Sequence, residues 1–139
     1  MTTAVDSSVL LDVFTSDAVF GPRSKEALRI CLAEGRLVAC EVVWAEVASF
    51  FPSEAPAEAA MKTLGVEFDG IALRTALSAA TAWKLYRARG GKRQRVAADF
   101  LIGAHALAQA DRLLSRDRGF YRAYFSRLRV LEPGSHRRA

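Results

Sequence analysis

Apolar residues along this chain come in two rhythms. Thr3-Ala4-Val5, Leu37-Val38-Ala39-Cys40 and Arg112-Leu113-Leu114-Ser115 are short apolar runs between polar or glycine residues, and they read as buried strands. Residues 128–131 read as a last strand, stopped by Pro133. Val66-Glu67-Phe68 alternates and predicts another strand, closed by the Asp69-Gly70 turn. Longer stretches between these runs carry helical spacing. Ser7-Ser8 offers a helix start before Val9-Leu10-Leu11. Gly21-Pro22 is a break, after which Ser24 is placed to cap a helix over residues 25–34, stopped at Gly35. Further helices are predicted over 43–51, 53–64, 71–89 and 95–109, with a short aromatic segment at 119–125. Pro56 falls in the first turn of the second of these, where proline is tolerated.

Strands separated by helices indicate βαβ units and a mostly parallel sheet covered on both faces, an α/β fold. In such sheets ligands sit beyond the C-terminal ends of the strands. The 139 residues suit one domain, drawn here as 1–133 with a basic tail at 134–139, and no Gly/Ser-rich linker divides them. At 51% hydrophobic and 25% charged, the composition excludes a disordered chain. Cys31 and Cys40 match neither a disulfide framework nor zinc-finger spacing, so both read as small buried hydrophobes. The opening MTTAVDSSVLLDVF has no basic leader, and Asp6 and Asp12 interrupt its apolar stretch. A signal peptide and a membrane span are therefore not expected, and a cytoplasmic location is.

Charge adds more. The net charge is +5, but it is unevenly placed. Up to Trp83 there are 6 basic and 11 acidic residues; from Lys84 onward there are 14 basic and 4 acidic. Such a basic half suits a polyanion partner or a solvated surface.

The acidic residues carry the candidate chemistry. Asp6 follows the first strand and Asp117 follows the 112–115 strand, so both fall at strand C-termini on one edge of the sheet. Glu46 lies on the helix after the second strand, within Val42-Val43-Trp44-Ala45 and Val47-Ala48. Asp99 begins a late helix among Val96, Ala97, Ala98, Phe100, Leu101 and Ile102. Aspartate suits a helix N-terminus on dipole grounds alone, but a carboxylate buried unpaired in such a segment would be costly. Carboxylates converging on one cleft repel each other. A divalent cation removes that repulsion, and oxygen ligands suit Mg²⁺ or Mn²⁺. Such an ion polarises phosphate and acidifies a bound water, so the nucleophile would be water. No one of these acids is specific; their order is the signal.

Four segments carry a family resemblance: V-D-S-S-V-L-L-D, V-V-W-A-E-V, A-A-D-F-L-I-G-A-H-A-L-A and L-L-S-R-D-R-G-F. The ordered set, spanning Val5 to about Leu131, resembles PIN-domain nucleases, above all the small VapC-type toxins. The resemblance implies a three-layer α/β/α fold and Mg²⁺- or Mn²⁺-dependent endonucleolytic cleavage of RNA. It implies that Asp6, Glu46, Asp99 and Asp117 form the catalytic, metal-binding site and that Ser115 supports it. It also implies a homodimer and a small VapB-type antitoxin covering the cleft. The segment 52–70 matches the family only loosely.

Other residues have plainer readings. Asp12 reads as a surface or secondary residue. Glu41 directly follows the second strand, but helical spacing puts it on a different face from Glu46. Asp111 precedes a strand and suits a turn. Lys92, Arg93 and Arg95 lead into the Asp99 helix and suit RNA backbone contact. Arg116 and Arg118 flank Asp117, where one of them suits phosphate contact or pairing with the acid. Trp44, Trp83, Tyr86, Phe120, Tyr121 and Tyr124 read as core or dimer-interface residues. His105, within an apolar helix, reads as packed or hydrogen-bonded. The alternative function is a non-catalytic PIN-like module that binds RNA or protein. A phosphoacceptor domain would want a lysine after a late strand, and none follows Lys92. A haloacid-dehalogenase-type phosphatase would want an aspartate where Ser8 stands.

Overall fold

Thr2–Val5 forms the first strand, β1, and the sheet extends from it in both directions. The structure, a computed structural model, describes residues 1–91 and 97–134. After β1 come α1 (Ser7–Phe14), α2 (Gly21–Glu34), β2 (Arg36–Ala39), α3 (Glu41–Ala48), α4 (Glu54–Leu64), β3 (Val66–Phe68), α5 (Leu73–Ala88), α6 (Ala97–Gln109), β4 (Arg112–Leu114), α7 (Arg118–Tyr124) and β5 (Val130–Leu131). Every neighbouring pair of strands is parallel, in the order β3-β2-β1-β4-β5. β1 and β4 are buried almost throughout, as strands covered on both faces must be.

The order reverses at β1. The chain steps from β1 to β2 and β3 on one side, then crosses back to β4 and β5 on the other. Right-handed crossovers put α1–α4 on one face and α5–α7 on the other. Accordingly α1 packs on α2 and α3, and α5 packs on α6 and α7. This is the expected three-layer α/β/α arrangement, with all the strands parallel. In sheets of this kind the point of reversal, here beyond the C-terminal ends of β1 and β4, is where a ligand crevice forms. Val5 is in register with Leu114, so residues 6 and 115 emerge side by side.

Some boundaries differ from expectation. Helix α2 begins at Gly21, and Ser24 lies buried inside it rather than capping it. The Asp17 carboxylate takes the N–H groups of Val19 and Phe20 and so shapes the turn upstream. Pro22 sits in the first turn, where its missing N–H costs nothing. The Ser24 hydroxyl is thereby released to donate to Asp12. Helix α5 begins at Leu73, because the Ile71 N–H donates to the Glu41 carboxylate and the Ala72 N–H to the Gln109 side chain. The loosely matched segment 52–70 holds α4 and β3, joined by Gly65 at φ 79°, a left-handed helix end that favours glycine. The expected strand at 128–131 shrinks to Val130–Leu131.

At the other end of the sheet Asp111 accepts the Thr2 N–H, the turn role expected of it. Arg112 is buried there, bonded to Thr3 and Glu34. His105 is buried on α6 and bonded to Asp69, 2.8 Å away. The two cysteines are buried and unpaired. Among the described residues no helix is long and apolar enough to cross a membrane. Of the basic tail, only Gly134 is within the described residues.

Candidate active site

Asp6 follows β1 at the N-cap of α1, yet its side chain makes no capping bond. An aspartate at that position ordinarily accepts from the second or third helical N–H. Here the carboxylate turns to the neighbouring strand end. Its Oδ2 accepts the Ser115 hydroxyl at 2.7 Å and the Tyr121 hydroxyl at 3.2 Å. Only 7% of Asp6 is exposed. Burial pushes its carboxyl above the ordinary aspartate range. Bonds from Ser115, Tyr121 and the Ser7 amide oppose that shift, and the charge of Asp117 adds to it.

Ser115 is fully buried just after β4. It donates to Asp6 and accepts the Asp117 N–H at 3.0 Å, so one hydroxyl joins two of the acids. Asp117 is the N-cap of α7 and also makes no capping bond. Tyr121 lies one helical turn further along α7. Burial, then the negative charges of Asp6 and Asp99, hold its phenol far above its ordinary pKa, so it stays a proton donor.

Glu46 comes from α3, at the exposed mouth of the crevice. Its Oε1 accepts the Ser7 hydroxyl at 2.9 Å, while Ser7 lies 3.5 Å from Asp6 Oδ1, at the outer limit of a bond. Partial burial raises the Glu46 carboxyl, Ser7 opposes this, and the charges of Asp6 and Asp99 add to it. Asp99 stands in the first turn of α6, half-buried.

The charge of Asp117 bears on Asp6, those of Asp6 and Asp99 on Glu46, and those of Asp6, Asp99 and Asp117 on Tyr121. Among the described residues no three of His, Cys, Asp and Glu form a ready-made metal cage. The donor set is nevertheless all oxygen. Mg²⁺ keeps several of its waters and commonly takes only one or two carboxylates directly, so the set fits a hard dication.

Two participants escaped sequence reading. Ser7 was legible only as a helix start, and Tyr121 only as core; its spacing of four residues from Asp117 was the available signal. Two residues moved. Asp12, read as a surface or secondary residue, is 3% exposed and bonded to Ser24 and Arg116. Arg116 pairs with Asp12 across 2.8 Å. Glu41 binds the Ile71 N–H, apart from Glu46. Lys92, Arg93 and Arg95, singled out for RNA contact, lie outside the described residues.

The raised carboxyls make a pH prediction for the metal-free protein. Asp6 and Glu46 hold protons more tightly folded than unfolded. Their contribution to stability is therefore complete below the ordinary carboxylate range and is lost as pH rises through the raised values. Asp6→Asn, which keeps an acceptor for Ser115, should raise the melting temperature at neutral pH in a chelator. That gain should shrink as pH falls toward the ordinary aspartate value of 3.8. Thermal melts across pH test this, and a parental protein more stable than the variant at neutral pH would contradict it.

A parallel sheet whose strand order reverses at β1, with helices on both faces and with Asp6 and Asp117 following β1 and β4, defines a doubly wound α/β protein. The chain belongs to the PIN-domain family, whose model matches residues 3–126. Among solved structures it is similar to a chain of VapBC2 from Rickettsia felis, a complex bound to a DNA fragment from its promoter. That likeness has a TM-score of 0.75 at 13% identity and covers 95% of this chain and 98% of the other. A chain of VapBC-1 from nontypeable Haemophilus influenzae gives a TM-score of 0.70 at 14% identity, with coverage of 95% and 98%. No curated protein matches the chain.

Proposed function

We propose that this protein is a Mg²⁺- or Mn²⁺-dependent endoribonuclease and the toxin of a VapBC-type toxin–antitoxin pair. The observation that supports it most is Asp6, a buried carboxylate that makes no helix cap and lies within charge range of Asp117 and Glu46. These four acids would hold the ion. When bound, Mg²⁺ or Mn²⁺ supplies polarisation of a phosphodiester oxygen and an acidified water.

The chain's own groups do the remaining work. Ser115 and Tyr121 hold Oδ2 of Asp6, fixing the plane of its carboxylate. Ser7 steers Glu46 toward the same crevice. Of the described residues usual as nucleophile or base, His105 is buried on Asp69 and both cysteines are buried, which favours water as the nucleophile. The exposed arginines 87, 89 and 122 lie on the α5–α7 face, and Asp117 adjoins α7 directly. A basic surface beside the acids suits an RNA backbone.

The likeness to chains of VapBC complexes supports a VapB-type antitoxin as partner. Exposed Leu73 and Leu77 on α5 suit a self-associating face, in keeping with a homodimer. The lack of a transmembrane helix among the described residues agrees with a cytoplasmic setting.

The test is cleavage of end-labelled RNA with Mg²⁺, with Mn²⁺ and with chelator, alongside melting curves under a Mn²⁺ titration. Internal cuts only with a metal are expected, as is a rise in stability approaching about 2.7 kcal/mol when Mn²⁺ exceeds its Kd about a hundredfold. The second reading is a non-catalytic PIN-like binding module, in keeping with the finding that among the described residues no three acids form a preformed cage. A protein that shows no cleavage and no Mn²⁺ shift would support that reading instead.

A further inference from the structure

Arg116 stands between Ser115, which joins Asp6 to the Asp117 amide, and Asp117 itself. Its Nε donates to Asp12 Oδ2 at 2.8 Å and its Nη2 to Asp12 Oδ1 at 3.0 Å, a two-pronged fork. The Ser24 hydroxyl donates to the same Oδ2 at 2.8 Å. The guanidinium carbon lies over the Phe20 ring, 4.0 Å from its centroid. Three further pieces of chain therefore meet at this pair: α1 supplies Asp12, α2 bonds Asp12 through Ser24, and the turn before α2 lays Phe20 against Arg116.

A 3% exposed carboxylate is tolerable only because these donors surround it. The protein therefore commits a buried charge, on the helix that begins beside Asp6, to a residue adjoining Asp117. Asp117 follows Arg116 directly, so the course of the backbone over residues 115–117 sets the point from which its side chain starts. That backbone is held by the Ser115 N–H on Leu131, by the Asp117 N–H on the Ser115 hydroxyl, and by the fork on Arg116.

We propose that the Asp12–Arg116 pair is a positioning device, anchoring the 115–117 loop to α1 and so keeping Asp117 in register with Asp6. Arg116 then serves the acids rather than the substrate phosphates. A lysine could carry the charge but not the fork, since only a planar guanidinium matches both carboxylate oxygens at once. The consequence for metal binding rests on the nuclease reading; the anchor itself does not.

The experiment uses the full chain with Arg116→Lys and Asp12→Asn, singly and together. In metal-free protein, hydrogen exchange at the Asp117 amide should become faster in each variant, while core amides such as that of Val9 keep their protection. Calorimetry should show Mn²⁺ affinity falling by about tenfold, the effect of losing a group that orients a ligand. High Mn²⁺ should then restore much of kcat, with KM for RNA little changed. RNA affinity in chelator, read by fluorescence anisotropy, should match the parent. The double variant should be no worse than the worse single one, because the pair acts as a unit.

Unchanged Asp117 exchange in Arg116→Lys would overturn the anchor, whatever the nuclease does. Faster exchange with parental Mn²⁺ affinity would overturn the positioning of Asp117. Weaker RNA binding in chelator, with exchange unchanged, would make Arg116 a phosphate contact instead. A parent that binds no Mn²⁺ would defeat the nuclease reading, and the exchange measurement would still decide the anchor. Should Asp12→Asn fail to fold, Arg116→Lys carries the test alone, because it leaves no buried carboxylate without a cation beside it.

Discussion

Asp99→Asn is expected to lower metal-dependent RNA cleavage by at least about a hundredfold, since even the groups that only orient metal ligands are worth about ten- to a hundredfold. Asparagine keeps the shape of the side chain and removes its charge. Asp99 lies in the first turn of α6, where the helix dipole gives an acid a modest welcome. Its charge, however, is felt by Glu46 on α3 and by Tyr121 on α7. Three elements thus meet around it. The variant should still fold cooperatively, because the substituted side chain keeps its shape. Cleavage rates at saturating Mg²⁺, paired with circular dichroism melts, separate the two effects. A well-folded variant that cuts at the parental rate would remove Asp99 from the proposed site.

The neighbouring residue should behave in the opposite way. Phe100→Ala is expected to cost about 3–5 kcal/mol of stability, the usual range for emptying a buried aromatic site. Phe100 is 1% exposed. Its ring stacks on Trp83 at 6.0 Å and meets Tyr86 at 5.4 Å, Phe120 at 5.2 Å and Tyr124 at 6.2 Å. Those rings come from α5 and α7, so this one side chain ties together the three helices of its layer. Such a loss is a large part of the roughly 5–15 kcal/mol that stabilises an ordinary domain. Urea unfolding measures it. A midpoint shift worth under about 1 kcal/mol would mean that the cluster closes over the gap, contrary to the cavity cost expected of a rigid core. One step along α6 therefore separates a residue proposed to hold the metal from a residue kept for packing.

The pattern of short apolar runs found β1, β2 and β4, because a strand buried on both faces must be apolar throughout, and alternation found β3. The same pattern placed Asp6 and Asp117 just past strand ends, and a parallel sheet puts all such ends on one edge. Helix boundaries were less legible. Ser24 has every local mark of a helix cap, and its true partner, Asp12, lies on another helix. Asp12 looked like a surface acid for the same reason: its principal partner, Arg116, is 104 positions away along the chain. Tyr121 was rightly placed among aromatic core residues, but its hydroxyl, pointing back at Asp6, belongs to no local pattern.

The sequence by itself determined the layers, the parallel sheet and the placing of Asp6 and Asp117 after strand ends, because burial and backbone periodicity are properties of neighbouring residues. Only the tertiary structure decided which hydroxyls hold those acids, that Asp12 is buried, and that Arg116 is committed to it. Those outcomes depend on side chains far apart in the chain competing for the same few oxygen atoms, and that competition is settled only when α1, α2 and α7 close around the ends of β1 and β4.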